Sequence, residues 1–328
     1  SGSVSSMIGL PFLKYLSRRP RMPFALVIPV WNDAAGLARL LESARKMGCF
    51  DQFIVVDDGS DTPVTVPNNV QLLRHDTPRG GSVARNTGLD AVTTSHVLFF
   101  DADDLLTEEC PYLLADLAGE KAAFDFCLFR HADSRITADG DWGQMPWDEG
   151  FWQTAQLGWA SLQEAPATTW HTLVQTANYP WNKVYRTAFL RDHGIGCAAT
   201  AVHEDIPLHW LGFFAAARIL VSGRVVAWHH VSATGDRLTN RSGAERLQVF
   251  AALTPVAQAA TPEWLLVLAR FVPSLVDWGA DRIDPALLPD LRRAERVWLR
   301  THISPVLDTI LTLDPDLAAD LHTRMGTP

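Results

Sequence analysis

The feature that most constrains the fold is an alternation of short apolar runs with helical patterns through the first part of the chain. Helical spacing fills intervals between these runs, as in AGLARLLESARKMG, which ends at Gly48. Strands that alternate with helices favour right-handed βαβ units, so we predict an α/β fold with a mostly parallel sheet flanked by helices. The predicted strands span 24–30 (FALVIPV), 53–56, 70–75, 96–100 and 124–131.

The chain changes in character after residue 131, where Gly, Pro and Trp become frequent in predicted loops. A helical pattern follows over 203–217 (HEDIPLHWLGFFAAA). The run over 217–230 is apolar and β-rich, and Ser222 and Gly223 at its middle lead us to predict two paired strands.

The last part of the chain has helical apolar spacing from about residue 242, with interruptions expected at Pro255, Pro273 and Pro285. We therefore predict three parts. They are a flexible or peripheral segment over 1–21, a sheet-based domain over 22–240, and a helical region over 241–328 that packs on the domain or mediates homo-oligomer formation.

Composition excludes several classes of protein. An apolar content of 47% and a charged content of 20% are typical of a soluble globular chain, and no apolar run has the length of a membrane span. The net charge of −9 argues against a general nucleic-acid binder, because such binding requires a basic surface. Four cysteines without a C-x-x-C pair disfavour a zinc site or a disulfide framework and fit a reducing compartment.

The segment 1–21 mixes apolar residues with the basic residues Lys14, Arg18, Arg19 and Arg21. A terminal helix docked on the protein is the simpler interpretation. Peripheral contact with an anionic membrane surface is the alternative. We therefore expect a cytoplasmic protein, with contact at the inner face of the membrane left open.

Polar clusters follow three of the predicted strands: WND at 31–33, DDGSD at 57–61 and DADD at 101–104. Each cluster alone is common turn chemistry. In an open parallel sheet, however, ligands bind outside the carboxyl ends of the strands. The recurrence of polar clusters at that edge therefore indicates a binding site.

The cluster at 101–104 has a spacing suited to a divalent cation. Residues two apart in an extended segment face the same side, so we expect Asp101 and Asp103 to converge, and Asp104 to point elsewhere or cap the next helix. Two convergent carboxylates repel unless a cation lies between them. All-oxygen ligation suits Mg²⁺ or Mn²⁺, completed by water and substrate phosphates.

These segments, in this order and spacing, resemble a family 2 glycosyltransferase. The resemblance rests on FALVIPVWNDAAGLARLLES, FIVVDDGSD, GGSVARNTGLDAV and HVLFFDADD, and continues downstream with WNKVYRTAFLRDHGI and HED. It covers roughly residues 22 to 235. It implies a GT-A fold and inverting transfer of a sugar from a nucleotide-diphosphate donor, usually with a divalent metal such as Mn²⁺ or Mg²⁺.

The resemblance also implies roles for individual residues on the donor side. Asp58 resembles the acid that recognises the nucleotide base or ribose, and Asp101 with Asp103 resembles the metal-binding D-x-D. A glycine-opened helix start with an Arg is independently a good anion site, although a solvated Arg on a surface turn is the alternative. The implied donor-binding residues are Asp33, Asp58, Arg85, Asn86 and Asp101.

On the acceptor side, HED at 203–205 resembles the family's acid pair at the head of a helix. Inverting transfer needs a base for the acceptor hydroxyl, and Asp205 is the first choice by position, with Glu204 second. Acids at a helix N-terminus that merely complement its dipole are the alternative. Some relatives place an additional metal ligand where His229 and His230 end the last strand; only one of the two can face the site, and we favour His229, with a structural His as the alternative. Arg237 in the following loop is a candidate phosphate contact, with a solvated Arg as the alternative.

Six of the twelve Trp residues fall between Trp142 and Trp181, in a loop-rich window. Aromatic faces stack on sugar rings, although core packing explains most Trp residues in such windows. Trp181, which precedes NKVYR, is the best placed of the six for a role in the site. We therefore include it among the donor-binding candidates.

The resulting hypothesis is a metal-dependent inverting glycosyltransferase of surface glycan biosynthesis. It would move a sugar from a nucleotide-diphosphate donor to a hydroxyl of a glycan or lipid-linked acceptor. A UDP-sugar is the expected donor. A nucleotidyltransferase is an alternative, but it favours a Gly-rich basic loop after the first strand, which PVWNDAAG lacks. A non-catalytic carbohydrate-binding protein on the same fold is another, but it needs neither the D-x-D nor the acid pair.

Overall fold

The computed structural model describes residues 22–137, 142–230 and 241–326. Its strands are β1 (Phe24–Val30), β2 (Gln52–Asp57), β3 (Gln71–Arg74), β4 (His96–Phe99), β5 (Leu105–Leu106), β6 (Phe126–Asp133), β7 (Gln163–Glu164), β8 (Lys183–Arg186) and β9 (Ile219–His229). Its helices are α1 (Ala34–Met47), α2 (Gly81–Asp90), α3 (Cys110–Ala118), α4 (Ser134–Thr137), α5 (Pro146–Ala155), α6 (Trp170–Leu173), α7 (Thr187–Asp192), α8 (Ile206–Ala215), α9 (Val249–Ala259), α10 (Pro262–Ala280), α11 (Leu288–His302), α12 (Leu307–Leu313) and α13 (Pro315–Met325).

The strands form one sheet in the order β3-β2-β1-β4-β8-β6-β9-β5, with β7 paired to β9. Strands β3, β2, β1 and β4 pair in parallel, and so do β6 and β9. Because β8 is antiparallel to both β4 and β6, these two strands point the same way. Most of the sheet therefore runs in one direction, which confirms the predicted α/β fold.

The first half of the sheet is built as the sequence pattern predicts. All seven residues of β1 are buried between β2 and β4, as expected for a central parallel strand. Helix α1 ends at Gly48, whose φ of 64° is left-handed. Helix α2 packs on β1 and β2. This arrangement brings the ends of β1, β2 and β4 and the start of α2 to one edge of the sheet.

The predicted pair of strands over 217–230 is wrong, because β9 is one continuous strand. Gly223 lies inside it, and its backbone N–H donates to the carbonyl of Ala160 at 2.8 Å. A Cβ at this position would overlap the carbonyl oxygen of Gly158. The glycine therefore permits close approach of a neighbouring loop, and the β6–β9 register is irregular after Phe129.

Two further local predictions need correction. Pro255 and Pro273 lie inside α9 and α10 and do not end these helices, whereas Pro285 begins a short 3₁₀ turn between helices. The pattern TEECPYLLADLAG over 107–119 predicts a helix with Thr107 as its N-cap, but Glu109 occupies that position in α3. The Thr107 hydroxyl instead donates to the carbonyl of Val225 at 2.6 Å.

The predicted C-terminal helical region is present as α9 to α13, and α9 packs against α8. Aromatic pairs also join α8 to α10, with ring centroids 4.8 Å apart for Trp210 and Phe271 and 4.7 Å apart for Phe214 and Trp264. Buried residues of these helices and of the sheet belong to one hydrophobic cluster. The C-terminal region thus supports α8, the helix that begins directly after Asp205.

No helix within the described ranges has both the length and the apolar character needed to cross a bilayer. Contact of the segment 1–21 with a membrane lies outside the described residues. Formation of homo-oligomers through the C-terminal helices stays a prediction.

Candidate active site

The polar clusters at 31–33, 57–61 and 101–104, which we call the rim loops, lie at the carboxyl edge of the sheet. Asn32 joins the first two: its backbone N–H donates to Ser60 Oγ at 2.9 Å, and its side chain exchanges hydrogen bonds with Asp61. Asp33 caps α1 by accepting from the N–H of Gly36 at 2.9 Å. The structure therefore places Asp33 at the predicted edge, with a capping role, and its contact with the donor stays a prediction.

The two acids that end β2 stabilise the surrounding loops. Asp57 is fully buried and accepts from the backbone N–H groups of Ser60 and Val64 and from the side chain of Arg74. Burial acts to raise the pKa of Asp57, but these hydrogen bonds outweigh it and the pKa is lowered.

Asp58 also has several partners within the protein. Its carboxylate accepts from the backbone N–H groups of Arg79 and Gly80, at 2.9 and 2.7 Å, and lies 2.6 Å from His75 Nδ1. These bonds shape the loop that leads into α2. The Asp58 side chain is only 4% exposed and is already engaged by these partners. Its predicted contact with the nucleotide stays a prediction.

The acids at 101–104 do not continue β4 as an extended segment. The strand ends at Phe99, and the N–H of Asp104 donates to the carbonyl of Asp101 at 3.2 Å, which closes a turn. The strand-alternation argument for Asp101 and Asp103 is therefore wrong. Both side chains are nevertheless partly exposed on this turn, where their oxygens are accessible to a ligand.

Asp104 has a role that the sequence did not reveal. It is 1% exposed, its carboxylate lies 3.0 Å from His229 Nδ1, and it accepts from the backbone N–H of His230 at 2.8 Å. Burial raises the pKa of Asp104, although the bond to His229 opposes this shift. Asp104 therefore points elsewhere than the partly exposed Asp101 and Asp103, and it connects the acidic turn to the end of β9. It does not cap α3.

Arg85 connects the acidic turn to the acid pair. Its Nη2 donates to Asp101 Oδ1 at 2.6 Å and its Nη1 donates to Glu204 Oε1 at 3.3 Å, which links residues 119 positions apart in the chain. Burial acts to lower the pKa of Arg85, but the charges of Asp101 and Glu204 outweigh it and raise the pKa. The guanidinium therefore stays charged and holds two carboxylates on one side of the site.

Asn86 makes two hydrogen bonds within the protein. Its side-chain amide donates to the carbonyl of Cys197 at 2.8 Å and accepts from the N–H of the same residue at 2.9 Å. Both polar groups of the side chain are thus engaged by the backbone of one residue, and the predicted contact of Asn86 with the donor stays a prediction. Asn86 fixes the segment that precedes the acid pair.

The acid pair lies at the end of a loop over 200–205, which we call the acid-pair loop. Asp205 occupies the N-cap position of α8 but makes no capping hydrogen bond with its side chain. Burial and the neighbouring Glu204 raise the pKa of Asp205 to about 7, against the opposing charges of Arg85 and Lys183. A carboxylate with a pKa near neutrality is suited to act as a general base.

Lys183 is a further charged group that the sequence analysis missed. It is fully buried at the start of β8, and its Nζ donates to the carbonyl of Tyr179 at 3.0 Å and to Asn182 Oδ1 at 2.5 Å. Burial lowers the pKa of Lys183 to about 7, while the charges of Asp205 and Asp148 oppose the shift. The only signal in the sequence is a lone Lys within an apolar strand.

Trp181 does not offer a face to a sugar, so its predicted donor contact is wrong. The side chain is 1% exposed, and its ring stacks on Tyr179 with centroids 4.5 Å apart and an angle of 11°. His131 and His229 lie beside it, at 5.0 and 5.1 Å. Trp181 therefore packs in the core beneath the site.

The residues predicted to hold a metal do not form a three-ligand group. Within residues 22–137, 142–230 and 241–326, no cluster of three or more His, Cys, Asp or Glu side chains could hold a metal ion. The Nδ1 of His229 contacts Asp104, an arrangement that is also common for a ligating His, so the role of His229 as a metal ligand stays a prediction. Two carboxylates on one turn still suit Mg²⁺ or Mn²⁺ if substrate phosphates and water complete the shell.

Comparison with known proteins agrees with this arrangement. Residues 25–179 match the family described as Glycosyl transferase family 2. This part of the chain, slightly under half of its length, is therefore similar to a family 2 glycosyltransferase domain. The structure of S. aureus TarS 1–349 in complex with UDP-GlcNAc is similar, with a TM-score of 0.71. The two proteins are 18% identical, and the match covers 93% of this chain and 88% of that chain. This likeness confirms the predicted GT-A fold.

Curated relatives match only part of this chain. The Pre-mycofactocin glycosyltransferase of Mycobacterium tuberculosis (strain ATCC 25618 / H37Rv) is 44% identical over 84 residues, which are 24% of this chain and 17% of that protein. The PGL/p-HBAD biosynthesis glycosyltransferase of Mycobacterium bovis (strain BCG / Pasteur 1173P2) is 34% identical over 110 residues, which are 31% of this chain and 41% of that protein. The chain thus spans less than half the length of either relative.

The family match covers the rim loops and Arg85 but ends at residue 179, before the acid pair. The contact between Arg85 and Glu204 therefore connects the matched part of the glycosyltransferase domain to the part beyond it. Arg237, the candidate phosphate contact, and the rest of the segment over 231–240 lie outside the described residues.

Proposed function

We propose that this chain is an inverting, metal-dependent glycosyltransferase that moves a sugar from a UDP-sugar to a hydroxyl group of a glycan or lipid-linked acceptor. One observation carries the proposal: Arg85 contacts both Asp101 of the acidic turn and Glu204 of the acid pair. The residues proposed for the donor and those proposed for the acceptor thus lie around one buried cation.

On the donor side, Asp101 and Asp103 would hold a divalent metal together with the donor pyrophosphate. Such a metal, when bound, neutralises charge on the departing nucleotide diphosphate. Arg85 contributes a fixed positive charge beside the same turn and donates to Asp101 at 2.6 Å. The structures of TarS with UDP-GlcNAc and with UDP support a uridine nucleotide as the donor group.

On the acceptor side, Asp205 would take the proton of the attacking hydroxyl. Its pKa, raised to about 7, lets the carboxylate be ionised at physiological pH while it remains basic enough to accept a proton. Glu204 is held by Arg85, so we assign it a positioning role and retain Asp205 as the base. Attack from the face opposite the leaving group gives inversion at the anomeric carbon.

Partial similarity to relatives named for PGL/p-HBAD biosynthesis supports a biosynthetic role. We propose surface glycan biosynthesis as that role, at a cytoplasmic location. The acceptor and linkage are not part of the proposal, because the regions outside the family match are the ones expected to select them.

Product analysis with UDP-GlcNAc and other UDP-sugars tests the reaction class. We expect Mn²⁺-dependent release of UDP and free sugar by slow hydrolysis, and faster UDP release when an acceptor is supplied. Formation of UTP and sugar 1-phosphate on addition of pyrophosphate, with no release of UDP, would indicate a nucleotidyltransferase. Binding of the sugar nucleotides with no release of UDP, with or without Mn²⁺ and acceptor, would indicate a binding protein and contradict the proposal.

A further inference from the structure

The C-terminal helical region contacts the acid-pair loop directly. The ring of His203, the residue before Glu204, meets the ring of Trp278 in α10 edge to face, with centroids 5.8 Å apart and an angle of 77°. Nearby, the backbone N–H of Ala201 donates to Gln248 Oε1 at 2.6 Å. Two side chains from beyond residue 240 therefore touch the loop that ends in the proposed base.

The backbone at His203 has a conformation that residues with a Cβ rarely adopt. Its φ is 57°, in the left-handed region, and the N–H of Ile206 donates to its carbonyl at 3.3 Å. Such a conformation persists only when surrounding contacts enforce it, and it is common beside functional groups. The turn at His203 sets the direction in which the next two residues, Glu204 and Asp205, leave the loop.

Trp278 is itself held in place by cationic side chains. The guanidinium groups of Arg246 and Arg282 lie over its ring, 5.1 and 4.2 Å from the centroid. Arg282 also donates to the backbone carbonyl of Trp278 at 2.9 Å. These contacts restrict the indole and make it a firm surface for the His203 ring.

We propose that Trp278 is a positioning residue for the reaction: by seating the His203 ring it maintains the left-handed turn that directs Asp205 toward the acceptor. This inference rests on the proposed function of Asp205. It makes the C-terminal helical region part of the working site, in addition to its packing on α8. Trp278 would act on the chemical step and leave donor binding at the rim loops unchanged.

The test uses three variants of the full chain: Trp278→Leu, His203→Ala and His203→Gly. Alanine removes the ring but still has to adopt the left-handed backbone, whereas glycine adopts that backbone without strain. We expect Trp278→Leu and His203→Ala each to lower kcat for UDP release from UDP-GlcNAc about tenfold. His203→Gly should retain several-fold more activity than His203→Ala, and adding Trp278→Leu to it should cause little further loss.

Donor KM should change less than about twofold in all of these variants, because the rim loops are not altered. Trp159→Leu is the matched control, since this Trp is 72% exposed, and it should behave as wild type. Equal losses in His203→Ala and His203→Gly, or additive losses with Trp278→Leu, would overturn the inference. If Trp278→Leu does not fold, the relative activities of His203→Ala and His203→Gly still test whether the reaction depends on the left-handed turn at His203.

Asp205→Asn, measured in parallel, separates this inference from the proposed function. An inactive Asp205→Asn beside a fully active Trp278→Leu would overturn the positioning role alone. Wild-type turnover in Asp205→Asn would overturn the proposed base, and the inference would fail with it.

Discussion

The rim loops and the acid-pair loop are stabilised in different ways. The first two rim loops bond largely to themselves and to each other, as Asn32 does with Asp61 and Asp57 with Ser60. The acid-pair loop depends on side chains from distant elements, with Arg85 from α2 and Trp278 from α10. We infer that the donor side forms with the parallel sheet, whereas the acceptor side requires the assembled molecule.

We expect the largest effect from a substitution of Arg85, because this residue contacts both the rim loops and the acid-pair loop. Arg85→Met would leave the carboxylates of Asp101 and Glu204 without their shared cation, and Glu204 is buried. We expect kcat/KM for the donor to fall by about 100-fold or more, because a fixed charge beside the pyrophosphate is lost. Initial rates of UDP release would measure this effect.

The control for Arg85→Met is Arg293→Met, which removes an Arg whose side chain is 72% exposed and distant in sequence from the site. It should leave the rates unchanged, because an exposed ion pair contributes little. A wild-type kcat/KM in Arg85→Met would show that the two sides function without the bridge.

A smaller effect is expected from the pH dependence of turnover, which reports on the acid-pair side alone. Because Asp205 acts as a base only when ionised, kcat should rise with pH through about 7 and level off above it. Lys183→Met removes a positive charge that favours the ionised form, so the rise should move to higher pH. We expect a loss of about tenfold at pH 6 that becomes small above pH 9.

A pH profile of kcat for the wild type and Lys183→Met, with circular dichroism to confirm folding, measures this shift. The same midpoint in both proteins would show that Lys183 does not influence Asp205. A shift to lower pH would contradict the sign of the charge effect.

The smallest effect on catalysis is expected from a substitution of Trp181. This variant tests whether the residue belongs to the core or to the donor site. Trp181→Phe should lower the free energy of unfolding by about 1–3 kcal/mol, because a fully buried ring is replaced by a smaller one. Donor KM should stay within about twofold of wild type, since the ring does not face the site. Thermal unfolding and steady-state kinetics measure the two quantities, and a large rise in donor KM would restore Trp181 as a donor contact.

Much of the first half of the molecule could be predicted from sequence because its signals are local. The apolar run over 24–30 became β1, and the pattern closed by Gly48 became α1, since strand burial and a left-handed C-cap are properties of short segments. The family resemblance likewise rests on these segments, and it gave the correct fold and class of domain.

The failures arose where tertiary contacts decide the outcome. Gly223 suggested a turn because a close approach of the loop at 158–160 cannot be seen in a sequence. Trp181 is a residue type suited to ligands, but its ring is buried in an aromatic cluster. Asp104 and Lys183 were missed for the opposite reason, since burial and distant partners gave them their roles.

The variant Asp205→Asn tests most directly whether Asp205 is the base of a glycosyltransferase site assembled around Arg85. The measurement is UDP release from a UDP-sugar by Asp205→Asn, together with the affinity of the variant for UDP in the presence of Mn²⁺. We expect kcat to fall by about 100-fold or more with UDP affinity unchanged, because the base is lost and the rim loops are intact. Turnover at the wild-type rate, with UDP still bound, would contradict the account.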